Sequence, residues 1–155
     1  GDWVDEWIGA SEQYKLPAHT ILIEVTENSL MDPDSSIQHQ LKRLNKISID
    51  IAIDDFGVGY SSLAYLQRLD IDILKIDRSF IKDIETNENS VALIKAIITM
   101  AHNLEVKVVA EGVETKYQYQ LLKELACDYI QGYIFSRPIN KQAFIDMYVK
   151  YEVSI

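Results

Sequence analysis

The stretch Ile-Asp-Ile-Ala-Ile-Asp-Asp-Phe-Gly-Val-Gly, residues 49–59, holds the plan of the whole chain. Ile49–Ile53 is a short run rich in β-branched residues, it ends on two adjacent acids, and a glycine-bearing loop follows. Similar runs occur at Ile21–Val25, Ile71–Ile76, Val106–Ala110 and Asp128–Ile130. They are nearly continuous in apolar residues instead of alternating, as expected where both faces of a parallel strand are covered. Between them lie longer stretches with helical spacing. The clearest is Val91, Ile94, Ile98 and Ala101, a stripe that covers one face of a sheet. Helix starts are marked by Asp32-Pro33, by Ser61 and Asn140, and by the capping pair Thr115 and Gln118. Strand followed by helix, repeated, predicts an α/β fold with a parallel sheet and right-handed crossovers.

Composition narrows the function classes. A chain of 155 residues suits one domain and buries roughly 70% of its unfolded surface. With 48% apolar and 25% charged residues it has the make-up of a globular domain. No apolar run approaches the roughly 20 residues that cross a bilayer, so no membrane contact is expected of this segment. Cys127 is the only cysteine, which excludes an internal disulfide and a cysteine zinc cluster. A cytoplasmic location is expected. The net charge of −9 argues against a coat for polymeric nucleic acid, which demands Lys and Arg. A small phosphate-bearing ligand remains open, provided cations stand between it and the acids.

Each strand delivers polar residues at or near its carboxyl end. The first gives Glu24 and Glu27, the second Asp54 and Asp55, the third Lys75 and Asp77. The fourth ends at Glu111 with Glu114 beyond it, and the fifth at Gln131-Gly132. A single Asp after a strand is usually an N-cap or turn residue. Carboxylates from three or more strands are another matter, because burying them uncompensated costs several kcal/mol each, on the order of an ion's desolvation. A (β/α)8 barrel gathers all strand ends on one face, where active sites are built. An open sheet offers a crevice mainly at its switch point. Hard oxygen donors without His or Cys suit Mg²⁺ or Mn²⁺. Lys75 among those acids reads either as a structural ion pair or as a group that holds a water or developing charge.

Rival motifs fail on context. Asp55-Phe56-Gly57 matches the Asp-Phe-Gly of protein kinases, but no His-Arg-Asp loop accompanies it. Gly57-Val58-Gly59 lacks the third glycine of a dinucleotide fingerprint. His19, His39 and His102 read as surface or packing residues, and Tyr117, Tyr119 and Tyr129 as helix or strand packing.

Taken in order, five segments resemble the Glu-Ala-Leu (EAL) family of cyclic di-GMP phosphodiesterase domains. They are Glu24-Val25-Thr26-Glu27, Asp54-Asp55-Phe56-Gly57 with Gly59–Leu63, Leu74-Lys75-Ile76-Asp77, Val109–Thr115, and Gln131-Gly132-Tyr133 continuing to Ser136-Arg137-Pro138. The resemblance implies a (β/α)8 barrel that hydrolyses cyclic di-GMP to the linear dinucleotide with two Mg²⁺ or Mn²⁺ ions. It makes Glu24, Asp54, Asp55 and Glu111 metal ligands and Lys75 the positioner of the attacking water. Glu111 doubles as a general base, and Gln131 and Asp77 contact substrate or a metal-held water. Glu27 anchors the loop from Asp55 to Ser62, with Gly57 and Gly59 within it.

The chain also departs from the family pattern. The Glu-Ala-Leu segment and the strand bearing a metal-ligating Asn are expected upstream of residue 1. Five of the eight strand–helix units of a TIM-type barrel are present, which reads residues 1–155 as the C-terminal part of a single EAL domain. Val58 stands where Thr is common and Ala126 where Gly is common. From these departures, the chain alone is expected to be weak or inactive. Its exposed sheet edges are expected to drive a homodimer or other self-association. The alternative is a non-catalytic module that binds cyclic di-GMP or a protein.

Overall fold

A computed structural model describes residues 3–30, 37–58, 66 and 70–152; Asp32, Ser61 and Gly59 lie outside the described residues. All five expected strands form: β1 Leu22–Thr26, β2 Asp50–Phe56, β3 Ile73–Ile76, β4 Lys107–Glu111 and β5 Tyr129–Gln131. The largest departure is at β2, which runs on through Asp54, Asp55 and Phe56. The strands make one parallel sheet in the order β1-β2-β3-β4-β5. A doubly wound sheet reverses its order at a switch point. An unbroken progression of neighbours is how the wall of a TIM-type barrel is laid down.

Helix α1 (Trp3–Tyr14) precedes β1. Helices α2 (Glu27–Leu30) and α3 (Ile37–Asn45) join β1 to β2, and α4 (Arg78–Lys82) and α5 (Glu88–Asn103) join β3 to β4. Helix α6 (Lys116–Glu124) leads to β5, and α7 (Lys141–Glu152) follows it.

Alternation along the strands sorts the side chains into two layers. Ile53 pairs with Leu74 and Leu74 with Val108, while Ile76 pairs with Ala110. These residues and Ile51 are all essentially inaccessible, and they form one cluster with Ile94, Ile98 and Leu122 from the helices. Each large aliphatic side chain so buried stabilises the fold by about 1.5–3 kcal/mol. The expectation that every strand is covered on both faces fails at the outer two. β1 and β5 alternate between exposed and half-buried positions, because each has a neighbouring strand on one side only.

Four helices end in the same way. Lys15, Ser48, Glu105 and Ala126, which follow α1, α3, α5 and α6, have φ of 49°, 60°, 60° and 61°. After α6 the Ala126 N–H donates to Lys123 O and the Cys127 N–H to Leu122 O. This is a Schellman closure, which satisfies the last carbonyls through one left-handed residue. Glycine takes that conformation freely and alanine does not. Ala126→Gly is therefore expected to raise stability by roughly 0.5–1 kcal/mol. A rise of about 1–4 °C in Tm would register it, and a fall would show that helix-end strain is absent.

The two caps that fall within the described residues behave as read. Thr115 and Gln118 form a reciprocal capping box, and the buried Gln118 amide also donates to Ile81 O at 3.3 Å, tying α6 to α4. Asn140 Oδ1 accepts from Ala143 N at 3.0 Å at the start of α7.

Aspartates stitch the amino edge of the sheet. Asp72 Oδ2 accepts the Ile51 N–H and Asp128 Oδ2 the Val108 N–H, both at 2.8 Å. His102 lies 2.8 Å from the same Asp128 oxygen, and His19 pairs with Asp50. Burial works against the Asp128 charge, but His102 and the Val108 N–H outweigh it and hold the carboxyl below its usual range. Burial pushes the Cys127 thiol up to about 11, so it stays protonated and donates to Tyr129 O at 3.3 Å. No helix among the described residues is long and apolar enough to cross a membrane.

Candidate metal and catalytic site

The register that faces the core residues toward the helices turns a second set the other way. Glu24 pairs with Ala52, so it shares a face with Asp54 two residues on. Lys75 pairs with Val109, two residues before Glu111, and Glu111 pairs with Gln131. Glu24, Asp54, Lys75, Glu111 and Gln131 thus come from five strands onto one face.

Asp55 would point away in a regular strand. Between the pairs Ile53–Leu74 and Phe56–Ile76 the ladder slips, so that Asp54 and Asp55 together stand opposite the single Lys75. The extra residue is a β-bulge, which re-aims side chains and sharpens the local twist. Asp55 takes it up with φ of 54°, a conformation that Asp tolerates better than most residues. As a result one oxygen from each of Asp54, Asp55 and Glu111 lies within 4.8 Å of the others.

Lys75 stands at the centre. Its Nζ is 2.8 Å from Glu24 Oε1, 3.0 Å from Asp54 Oδ1 and 2.7 Å from Glu111 Oε1, and its side chain is 5% exposed. The Asp54 contact is electrostatic and lies off the hydrogen-bond direction, since the buried Asp54 Oδ1 has no hydrogen-bond partner among the described residues. Burial alone would lower the Lys75 pKa. The hydrogen-bonded carboxylates, Glu111 foremost, reverse this and hold it well above the ordinary lysine value. These carboxylates hold Lys75 as a cation and hydrogen-bond donor.

Glu27 has the place expected of a loop anchor. It is buried, and its Oε2 accepts the Gly57 N–H at 3.2 Å. Gly57 has φ of +95°, and a Cβ there would lie 2.9 Å from the Phe80 ring. The anchored turn directly follows the bulge, so Glu27 steadies the backbone that aims Asp55. Gly59 falls outside the described residues.

A cleft over the ends of β4 and β5 is lined by Arg78, Lys82, Glu111, Glu114, Gln131 and Tyr133, among others. Asp77, expected at substrate or a metal-held water, caps α4, its Oδ1 accepting the Ser79 N–H at 2.9 Å. It is not in the acid cluster. Burial opposes its charge, but the Ser79 hydrogen bonds prevail and its pKa is lowered. Arg78 and Lys82 are cleft residues the sequence reading does not single out. The available signal is that both lie in the short helix that opens directly after Asp77, Arg78 at its start and Lys82 at its end. They supply the positive charge that an anionic ligand needs beside so many acids.

The donor set fits a hard divalent cation. It is all carboxylate oxygen, includes a buried oxygen without a hydrogen-bond donor among the described residues, and gathers three acids on one point. Glu24 lies outside that trio and joins it through Lys75.

Known proteins are similar over most of this chain. Over 136 residues the chain is 50% identical to the cyclic di-GMP phosphodiesterase NbdA of Pseudomonas aeruginosa, a match spanning 88% of this chain and 17% of that protein. The phosphodiesterase MucR of the same species, solved with c-di-GMP, aligns at 38% identity and a TM-score of 0.84. That alignment covers 91% of this chain and 57% of the solved one. BlrP1 of Klebsiella pneumoniae, solved with manganese and cyclic di-GMP, aligns at 34% identity and a TM-score of 0.80, over 88% and 35% of the two chains. The family model described as the EAL domain matches residues 2–138. With strand order, acid positions and this match in agreement, the chain belongs to the EAL domain family.

Proposed function

We propose that this chain is the C-terminal part of a single EAL domain that hydrolyses cyclic di-GMP to linear pGpG with two Mg²⁺ or Mn²⁺ ions. The observation that carries the reading is the meeting of Asp54, Asp55 and Glu111 beside the buried ammonium of Lys75. Asp54, Asp55, Glu111 and Glu24 hold the ions. When bound, these supply Lewis acidity toward water and the phosphodiester oxygens. Lys75, protonated and held in place, orients the attacking water and meets negative charge as it develops. Glu111 Oε1 is engaged with Lys75, so its other oxygen takes the proton from that water. Gln131, Arg78 and Lys82 line the cleft where the dinucleotide's phosphates lie.

Further ligands come from strands that precede β1 in the intact domain. The sheet edge at β5, flanked by the exposed Tyr133, Phe135, Ile139 and Phe144, supports self-association of the chain alone. The expected result is little or no pGpG from the purified 155-residue chain in Mn²⁺, and ready turnover by an intact domain containing it. Chromatography of the nucleotide products reads both. Robust metal-dependent release by the chain alone would sink the division of ligands, and an inactive intact domain would sink the hydrolase reading. Calorimetric titration of that inactive domain with cyclic di-GMP would then test the alternative of a binding module.

A further inference from the structure

We infer that Lys75 competes with the divalent ion for the same carboxylates, and so sets how tightly this site holds its metal. The inference rests on the metal-site reading above and goes beyond it. Glu24, Asp54 and Glu111 each have one oxygen 2.7–3.0 Å from the Lys75 ammonium. Two of those three acids, Asp54 and Glu111, also belong to the trio that converges on a cation, with Asp55 the third. An ion entering there meets a positive charge that already draws on two of its three acids.

Lys75 is not free to withdraw. Its side chain is 5% exposed, and a buried ammonium taken from its partners loses their compensation without gaining hydration. Its place in β3 is held by pairing with Val109 of β4, and by the pairing of its neighbours Leu74 and Ile76 with β2. The ion must therefore bind beside the ammonium or displace it from at least one acid. Either course weakens binding.

A purely structural Lys75 makes the opposite forecast. If the ammonium only gathers the acids for the metal, its loss scatters them and binding weakens. The sign of the change therefore separates the two roles.

The test is equilibrium binding of Mn²⁺ alone, followed by the resonance signal of the free ion, to the 155-residue chain and to Lys75→Met and Lys75→Gln. Removing one unit of positive charge beside a divalent ion is expected to tighten binding by about 10-fold or more. Circular dichroism with and without Mn²⁺ accompanies it. Variants that fold only when Mn²⁺ is present support the inference, because the ion then takes the place of the ammonium. Equal or weaker binding by both variants overturns it, and so does failure of both to fold even in Mn²⁺. If neither the wild-type chain nor a variant binds Mn²⁺, the inference falls, while the metal-site reading is tested separately by Mn²⁺ binding to an intact domain. Equal binding by all three sinks the inference alone.

Discussion

Asp54→Asn is expected to lower phosphodiesterase activity of an intact domain containing this segment by at least about 100-fold, while leaving its ion-free stability unchanged or raised. The activity loss follows from position. Second-shell changes around a metal cost roughly 10–100-fold, and Asp54 is a direct donor in the proposed site. The stability forecast follows from charge. Asp54, Asp55 and Glu111 place oxygens within 4.8 Å of one another, a distance at which like unit charges repel by about 1 kcal/mol in water and ~3 kcal/mol near a protein surface. Removing one of them relieves repulsion, and Lys75 keeps Glu24 and Glu111 as partners. Melting curves with and without Mn²⁺ check both halves. The ion-induced rise in Tm should shrink in the variant. A loss of more than about 1 kcal/mol without ion, the scale of a net hydrogen bond, would mark the Asp54 carboxylate as structural.

Gly132→Ala is expected to destabilise the fold by about 3 kcal/mol or more. A Cβ at Gly132 would stand 2.1 Å from Val113 O and 2.4 Å from Val113 N. These are backbone atoms, so no side chain can turn aside to make room. The Val113 N–H also donates to Gln131 O at 3.1 Å, and Val113 O accepts from Ile134 N at 3.0 Å. Separating the two segments far enough for a methyl group weakens both bonds, at about 1 kcal/mol each, on top of an overpacking cost of roughly 1–3 kcal/mol. Thermal unfolding should show a fall in Tm of about 6–12 °C. Gly9→Ala in α1 is the control, since nothing lies within 4 Å of its added carbon. If Gly132→Ala melts like Gly9→Ala, the close approach of the β4 and β5 ends is wrong.

Much of this was readable in the chain, for identifiable reasons. Each of Ile49–Ile53 and Val106–Ala110 is apolar but for one charged residue near its start, and these β-branched runs announce β2 and β4. Acids at the ends of such runs have no packing reason to be there, which is why Asp54, Asp55 and Glu111 stand out. What escaped were features written without their usual residues. Helix ends at Ser48, Glu105 and Ala126 adopt left-handed backbone without glycine. The bulge in β2 has no glycine either, and its only trace is that two acids stand side by side. From sequence Lys75 reads as an ion pair or as a catalytic group, because charge balance depends on distances between strands, which spacing along one strand does not encode. The capping role of Asp77 is likewise hidden: its carboxylate accepts a backbone N–H from the residue two ahead, a local geometry that a pattern of residue types leaves open.

The slip in β2 has a consequence for how such a site changes over time. Substitution can alter either acid, one codon at a time, but it cannot undo the geometry that brings them together. That geometry resides in a count: one residue more in β2 than the facing stretch of β3 requires. Loss of a whole codon restores regular pairing and leaves a single acid where two converged. An in-frame deletion at this point would remove the convergence itself, which an exchange of side chains leaves in place.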